Sequence, residues 1–295
     1  MANFVESAIA HIAKRGFHRS YVVPSDPAVQ RHDPIRIMYA DNDYRENPNG
    51  PVLLFIGGIF GTRNAVTGEI DALARHYKLR LIAPDKCGFE GTGRGNTNDR
   101  IRTWVDLVAD LLKHLNIKYV AMASHSAGTM YLFHMILLRS LIPNALIANW
   151  SSIVKKTIPS INKALNFSSA LMKPSSREKP DQEGREEDLP EGITVEAHAM
   201  QSESLETNRA PILTPAEPEQ RQTLKVRVYF ADGDGLVGLK GAGWFEKCWQ
   251  QPGVSEAVDY RSEAVPNSVH ENIVDSEKGI IAEIFDATVR SFEEC

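Results

Sequence analysis

From residue 50 onward, short apolar runs rich in β-branched residues alternate with stretches of helical period, and this alternation constrains the fold more than any other feature. The runs lie at 52–56, 79–83, 118–123, 145–148 and 226–231. Between them, Ile70, Leu73, Ala74 and Tyr77 fall on one helical face, as do Trp104, Val108, Leu111 and Leu115. A last stripe joins Ile280, Ile281, Ile284, Phe285, Val289 and Phe292. The strand candidates are nearly continuous apolar runs, as strands must be where helices cover both faces of a sheet. The pattern predicts an α/β fold with a mostly parallel central sheet and helices on both faces.

One region breaks the alternation. Between 151 and 222 the sheet pattern stops, and 172–192 is dense in Pro, Ser and charge. We expect a catalytic domain over 1–150 and 223–295, with 151–222 inserted as a cap or lid carrying a flexible loop at 172–192. The chain has 295 residues, 33 Lys plus Arg and 38 Asp plus Glu, a net charge of -5. That balance gives no bulk attraction to nucleic acid or anionic membrane. Three scattered cysteines, Cys87, Cys248 and Cys295, form no CxxC pair, so neither a disulfide framework nor a zinc module is expected. The longest apolar stretch, near 130–138, is too short to span a bilayer, and at the N-terminus the charges follow the apolar residues, the reverse of a secretory signal. We expect a cytoplasmic monomer or homodimer without stable membrane insertion.

The sharpest local signal is Tyr119-Val120-Ala121-Met122-Ala123-Ser124-His125-Ser126-Ala127-Gly128, a strand entering a helix through a tight turn. A nucleophile at such a turn sits on a strained backbone, and the residues two before and two after it must be small. Ser124 and Gly128 meet that demand around Ser126. Ser124 is the rival nucleophile, but Met122 would then occupy a position that needs a small side chain. The turn would also aim a helix N-terminus at a developing oxyanion.

A serine hydroxyl needs a base, and the base needs an orienting acid. The run 226–231 leads into Asp232-Gly233-Asp234-Gly235-Leu236-Val237, and His270 follows in a polar loop before the last helix stripe. Both aspartates could belong to an ordinary Asp-Gly turn. His114, His125 and His134 have no metal-binding spacing, and the glycines at 88, 91, 93 and 95 lack the Lys-Ser/Thr of a phosphate loop.

Taken together, these segments resemble the α/β-hydrolase superfamily over nearly the whole chain. The run Val52-Leu53-Leu54-Phe55-Ile56-Gly57-Gly58-Ile59-Phe60-Gly61 is similar to that family's strand and oxyanion loop, with Gly57 at the common histidine position. Asp85-Lys86-Cys87-Gly88-Phe89-Glu90-Gly91 resembles its D-x-x-G-x-G turn. The resemblance implies Ser126 as nucleophile, His270 as base, and Asp234 as acid, since Leu236-Val237 follows at the family spacing; Asp232 is the alternative acid. It implies backbone amides of Ala127 and Ile59, or Phe60 in place of Ile59, as oxyanion donors. Phe60, His125 and Trp150 are the pocket candidates, His125 with its side chain directed away from Ser126.

The resemblance implies a cofactor-free serine hydrolase acting on a small-molecule ester or thioester. Leu165, Phe167, Leu171 and Met172 suit a medium-sized, amphiphilic acyl group. The Ser-His-Ser-Ala-Gly form is weakly similar to hydrolases of fungal secondary metabolism. Acyl transfer, lyase or cyclase chemistry on the same scaffold is the enzymatic alternative, and a silent ligand-binding homologue is the other. Epoxide hydrolysis and dehalogenation would want a carboxylate where Ser126 stands.

Overall fold

The computed structural model describes residues 15–44, 50–59, 61–66, 68–95, 99–138, 224–235, 238–250, 255 and 258–293. Seven strands and five α-helices occur among them. In chain order they are β1 (Arg19–Val23), β2 (Ile35–Asp41), β3 (Val52–Ile56), α1 (Gly68–His76), β4 (Arg80–Pro84), α2 (Arg100–His114), β5 (Ala121–Ser124), α3 (Gly128–Leu138), β6 (Leu224–Ala231), α4 (Gly238–Trp249), β7 (Val258–Val265) and α5 (Ile280–Glu293).

Five strands form one sheet in the order β1-β2-β4-β3-β5. The β4-β3-β5 part is parallel, with Leu53 opposite both Leu81 and Ala121. Parallel neighbours require crossover connections, and α1 and α2 supply them. β1 and β2 add to this core antiparallel, so the sheet is mixed. β6 and β7 form a second, parallel pair, in register from Leu224 opposite Val258 to Ala231 opposite Val265.

The continuous apolar runs have a direct structural reason. Alternate residues of β3 enter opposite cores: Leu54 and Ile56 pack with Trp104, Leu111 and Tyr131 of α2 and α3, while Leu53 and Phe55 pack with Ile70, Ala74 and Phe285 of α1 and α5. Period-two side chains with helices on both sides leave no polar face. Phe133 and Ile136 of α3 pack against Cys248 and Trp249 of α4 and Val258 of β7, seating the β6–β7 pair beside α3.

Three strands escaped the apolar-run criterion. β1 alternates in exposure along its length, and β2 opens with Arg36 exposed. β7 carries Asp259, Arg261, Ser262 and Glu263 along a largely exposed middle. β5 begins at Ala121 rather than 118, and Tyr119 before it is 75% exposed. The expected strand at 145–148, Trp150 and the expected cap at 151–222 lie outside the described residues. Among the described residues, no helix is long and apolar enough to cross a membrane, and no His/Cys/Asp/Glu cluster could hold a metal ion.

Candidate active site

The turn after β5 is shaped by what cannot fit there. The His125 amide donates to the Ile56 carbonyl at 3.0 Å, extending the sheet by one bond before the chain turns. Ser126 then takes φ 54, a left-handed conformation that disfavours a non-glycine residue by about 1–2 kcal/mol. Helix α3 starts two residues later at Gly128, where a Cβ would lie 2.5 Å from the Gly57 carbonyl oxygen and closer still to that of Ile56. Only glycine allows the helix so near the end of β3. Ser124 fits at the first small position with its hydroxyl 3.1 Å from that of Thr129.

The second half of the site comes from the ends of β6 and β7. His270 Nε2 lies 2.7 Å from Ser126 Oγ, and His270 Nδ1 lies 2.9 Å from Asp234 Oδ2. A carboxylate only accepts, so Nδ1 carries the proton, and Nε2 can accept from the Ser126 hydroxyl. The two side chains are 14% and 11% exposed, sheltered yet reachable. Asp232 has a different task. Its two oxygens accept the amides of Asn267 at 2.9 Å and Ser268 at 3.1 Å, while the Gly233 amide donates to the Ser268 carbonyl. Those amides, Asn267 first, hold the Asp232 carboxyl below the usual carboxylate range. Asp234 thus meets the imidazole, and Asp232 holds the loop that carries it.

His125 does not turn its side chain away from this centre. Its Nε2 lies 2.8 Å from the His270 carbonyl oxygen, with the two rings 5.2 Å apart. Burial holds its imidazole below the ordinary histidine range.

Facing Ser126 is the 57–61 loop. Gly58 lies so close that a Cβ there would come within 3.1 Å of the Ser126 Cβ. The loop closes through the Gly61 amide to the Gly58 carbonyl at 2.8 Å, and a Cβ on Gly57 would meet the Gly61 carbonyl oxygen at 2.8 Å. That crowding explains why glycine stands where the resemblance has histidine. Ile59 lies in this loop; Phe60 is outside the described residues. Among the described residues, no backbone acceptor takes the amides of Ile59 or Ala127.

Sequence reasoning missed the support beneath that loop. Lys86, 1% exposed, donates from Nζ to the Gly58 carbonyl and, at 3.1 Å, to the Gly61 carbonyl. Beside it, buried Asp85 pairs with Arg63; burial pushes the Asp85 carboxyl up to about 6, opposed by the guanidinium. No local motif marks Lys86, since its partners are main-chain atoms some 25 residues away. Other polar candidates have structural partners: His114 stacks on Tyr21 at 4.0 Å, and His134 Nδ1 meets the Met130 carbonyl at 2.9 Å. The buried Cys87 thiol is pushed up to about 12, away from thiolate chemistry.

No family model matches this chain, and no curated protein matches it. Solved structures do. An epoxide hydrolase from Vigna radiata is 17% identical over 91% of this chain and 96% of its own, with a TM-score of 0.54. A mutant Vigna radiata epoxide hydrolase is 13% identical over 91% and 97%, with a TM-score of 0.57. An α/β-hydrolase enzyme from a Medee basin deep-sea metagenome library is 14% identical over 86% and 94%, with a TM-score of 0.50. The chain has the α/β-hydrolase fold. On this scaffold the Ser126–His270–Asp234 chain gathers beyond the carboxyl ends of β5, β6 and β7, where open α/β sheets place their ligands. Likeness at these identities carries the architecture; the reaction has to be argued from the site.

Proposed function

We propose that this protein is a serine hydrolase that cleaves a carboxylic ester or thioester through an acyl-enzyme. The observation that carries the reading is the continuous hydrogen-bonded chain, 2.7 Å from Ser126 Oγ to His270 Nε2 and 2.9 Å from His270 Nδ1 to Asp234 Oδ2. Ser126 Oγ attacks the carbonyl carbon as its proton passes to His270 Nε2. The amides of Ala127 and Ile59 receive the oxyanion, which costs little reorganisation because the loop is already folded. The tetrahedral carbon expels the alkoxide or thiolate, which takes the proton from His270. Water then gives a proton to His270 and attacks the acyl carbon, and Ser126 leaves with that proton restored. Asp234 holds the ring in the useful tautomer and stabilises the imidazolium in both steps.

The epoxide hydrolases among the structural neighbours do not redirect this reading. Opening an epoxide through an ester intermediate wants a carboxylate at the elbow, and this chain offers Ser126. An alkyl fluorophosphonate tests the assignment without knowledge of the substrate. The wild-type protein should take one phosphonyl adduct on Ser126, located by peptide mass spectrometry. Ser126→Ala should lose both the adduct and turnover of a p-nitrophenyl ester while keeping its thermal unfolding midpoint. An unlabelled wild type, or a Ser126→Ala variant with full esterase activity, would overturn the proposal.

A further inference from the structure

The base loop is gripped twice by the same turn. His125 and Ser126 are consecutive, and both bond to His270: His125 Nε2 to its carbonyl oxygen at 2.8 Å, Ser126 Oγ to its ring at 2.7 Å. We infer that His125 is a positioning residue, whose side chain fixes the main chain of His270 relative to the nucleophile. The inference rests on the reading of Ser126 as the nucleophile and His270 as its base.

Three observations support it. First, the His270 carbonyl has no other donor among the described residues. The neighbouring turn amides of Asn272 and Ile273 both go to the Val269 carbonyl, each at 3.2 Å. In this part-buried position His125 supplies the carbonyl with its partner. Second, His125 is itself anchored, because its own amide donates to Ile56 at the end of β3. The bond therefore refers the base loop to the central sheet. Asp232 holds the preceding residues and Asp234 one ring nitrogen; with the carbonyl held as well, the imidazole loses the freedom to swing off Ser126.

Third, the protonation state suits the task. The His270 carbonyl oxygen can only accept, so Nε2 of His125 must carry the proton. Burial, reinforced by the neighbouring His270, favours the neutral ring, while the His270 carbonyl bond, Asp234 and Glu271 oppose. A neutral donor steadies the base without repelling the imidazolium that forms at His270.

The rate of phosphonylation reads this directly, because it depends on activation of Ser126 and on no particular substrate. His125→Leu keeps bulk but has no donor. It should slow labelling about 2- to 10-fold, the range that one net hydrogen bond is worth. On a p-nitrophenyl ester it should lower kcat with KM within about twofold. Glutamine can place its amide nitrogen near the former Nε2, whereas asparagine reaches only the Nδ1 position. His125→Gln should therefore recover most of the lost rate and His125→Asn should not. The Gln and Asn pair keeps the test decisive if the Leu variant does not fold. Leu and Asn variants labelling at the wild-type rate would overturn the inference and leave the serine hydrolase reading intact. A folded Gln variant as slow as the Asn variant would do the same. An unlabelled wild type would overturn both.

Discussion

The turn that carries Ser126 and the loop that carries His270 meet at a 2.7 Å contact, yet they are held by different forces. The turn after β5 is fixed by exclusion. A carbon added at Gly128 would collide with main-chain oxygen, and one added at Gly58 would crowd the Cβ of Ser126. The loop at 266–275 is fixed by polar attachment: Asp232 to two amides, Asn272 Oδ1 to the Val269 amide, His125 to the His270 carbonyl. Relief of steric crowding moves whole elements, since close-packed neighbours yield little on their own. Hydrogen bonds to a loop can be lost one at a time, each worth about 0.5–1.5 kcal/mol. Substitutions of the crowded glycine of the turn, Gly128, should therefore cost fold and function together, and those in the loop should weaken function by degrees.

The exception in the loop half is the Asp234–His270 bond, which the proposed mechanism uses, and it sets the largest expected effect. Asp234→Asn keeps shape but can no longer stabilise the imidazolium or favour the Nδ1–H tautomer. It should lower kcat by about 10⁴-fold without shifting the thermal midpoint appreciably. Steady-state kinetics on a p-nitrophenyl ester measures the first and a thermal melt the second. If Asp232→Asn gave the larger loss, the roles of the two aspartates would be reversed.

Gly128→Ala comes next and probes the turn half. The added methyl meets the Ile56 and Gly57 carbonyls, so helix α3 must shift away from β3. Overpacking of this kind costs about 1–3 kcal/mol. The displacement also moves the Ala127 amide and Ser126, so activity should fall at least as far as stability does. Chemical denaturation together with phosphonylation rate checks it. A variant with normal stability and normal labelling would show that the turn is softer than the crowding implies.

These two mechanisms explain which parts of the molecule were legible in the sequence. Crowding leaves a compositional mark, so Ser124 and Gly128 around Ser126 stand out, and the two-sided core makes β3 and β4 visible as apolar runs. Polar attachment leaves no such mark. Nothing near Lys86 signals that it props the 57–61 loop, and nothing near His125 signals the His270 carbonyl, because each bond joins segments brought together only by the fold. The same holds for strands. β7 pairs over eight residues with β6, but its exposed middle reads as charge. Asp232 and Asp234 are alike as an Asp-Gly turn; the family resemblance ranks them through the following Leu236-Val237, and the geometry separates them by what each carboxylate touches.

Asp232 offers the smallest effect and the finest test of the loop half. Its carboxylate is fully exposed, so solvent screens the attachment and its loss is gentle. Asp232→Asn keeps one acceptor and should slow phosphonylation only a few-fold. The pH dependence distinguishes a charged latch from a merely shaped one. The folded carboxyl is held below its unfolded value by the Asn267 and Ser268 amides. Its stabilisation is therefore fully present above the ordinary aspartate range and is lost as pH falls through the folded value. The gap in thermal midpoint between wild type and Asp232→Asn should persist at neutral pH and close as the solution is taken from about pH 5 toward about pH 3. A gap that stayed constant across that range would mean the carboxylate's charge plays no part, and that the loop is held by shape as the turn at Ser126 is.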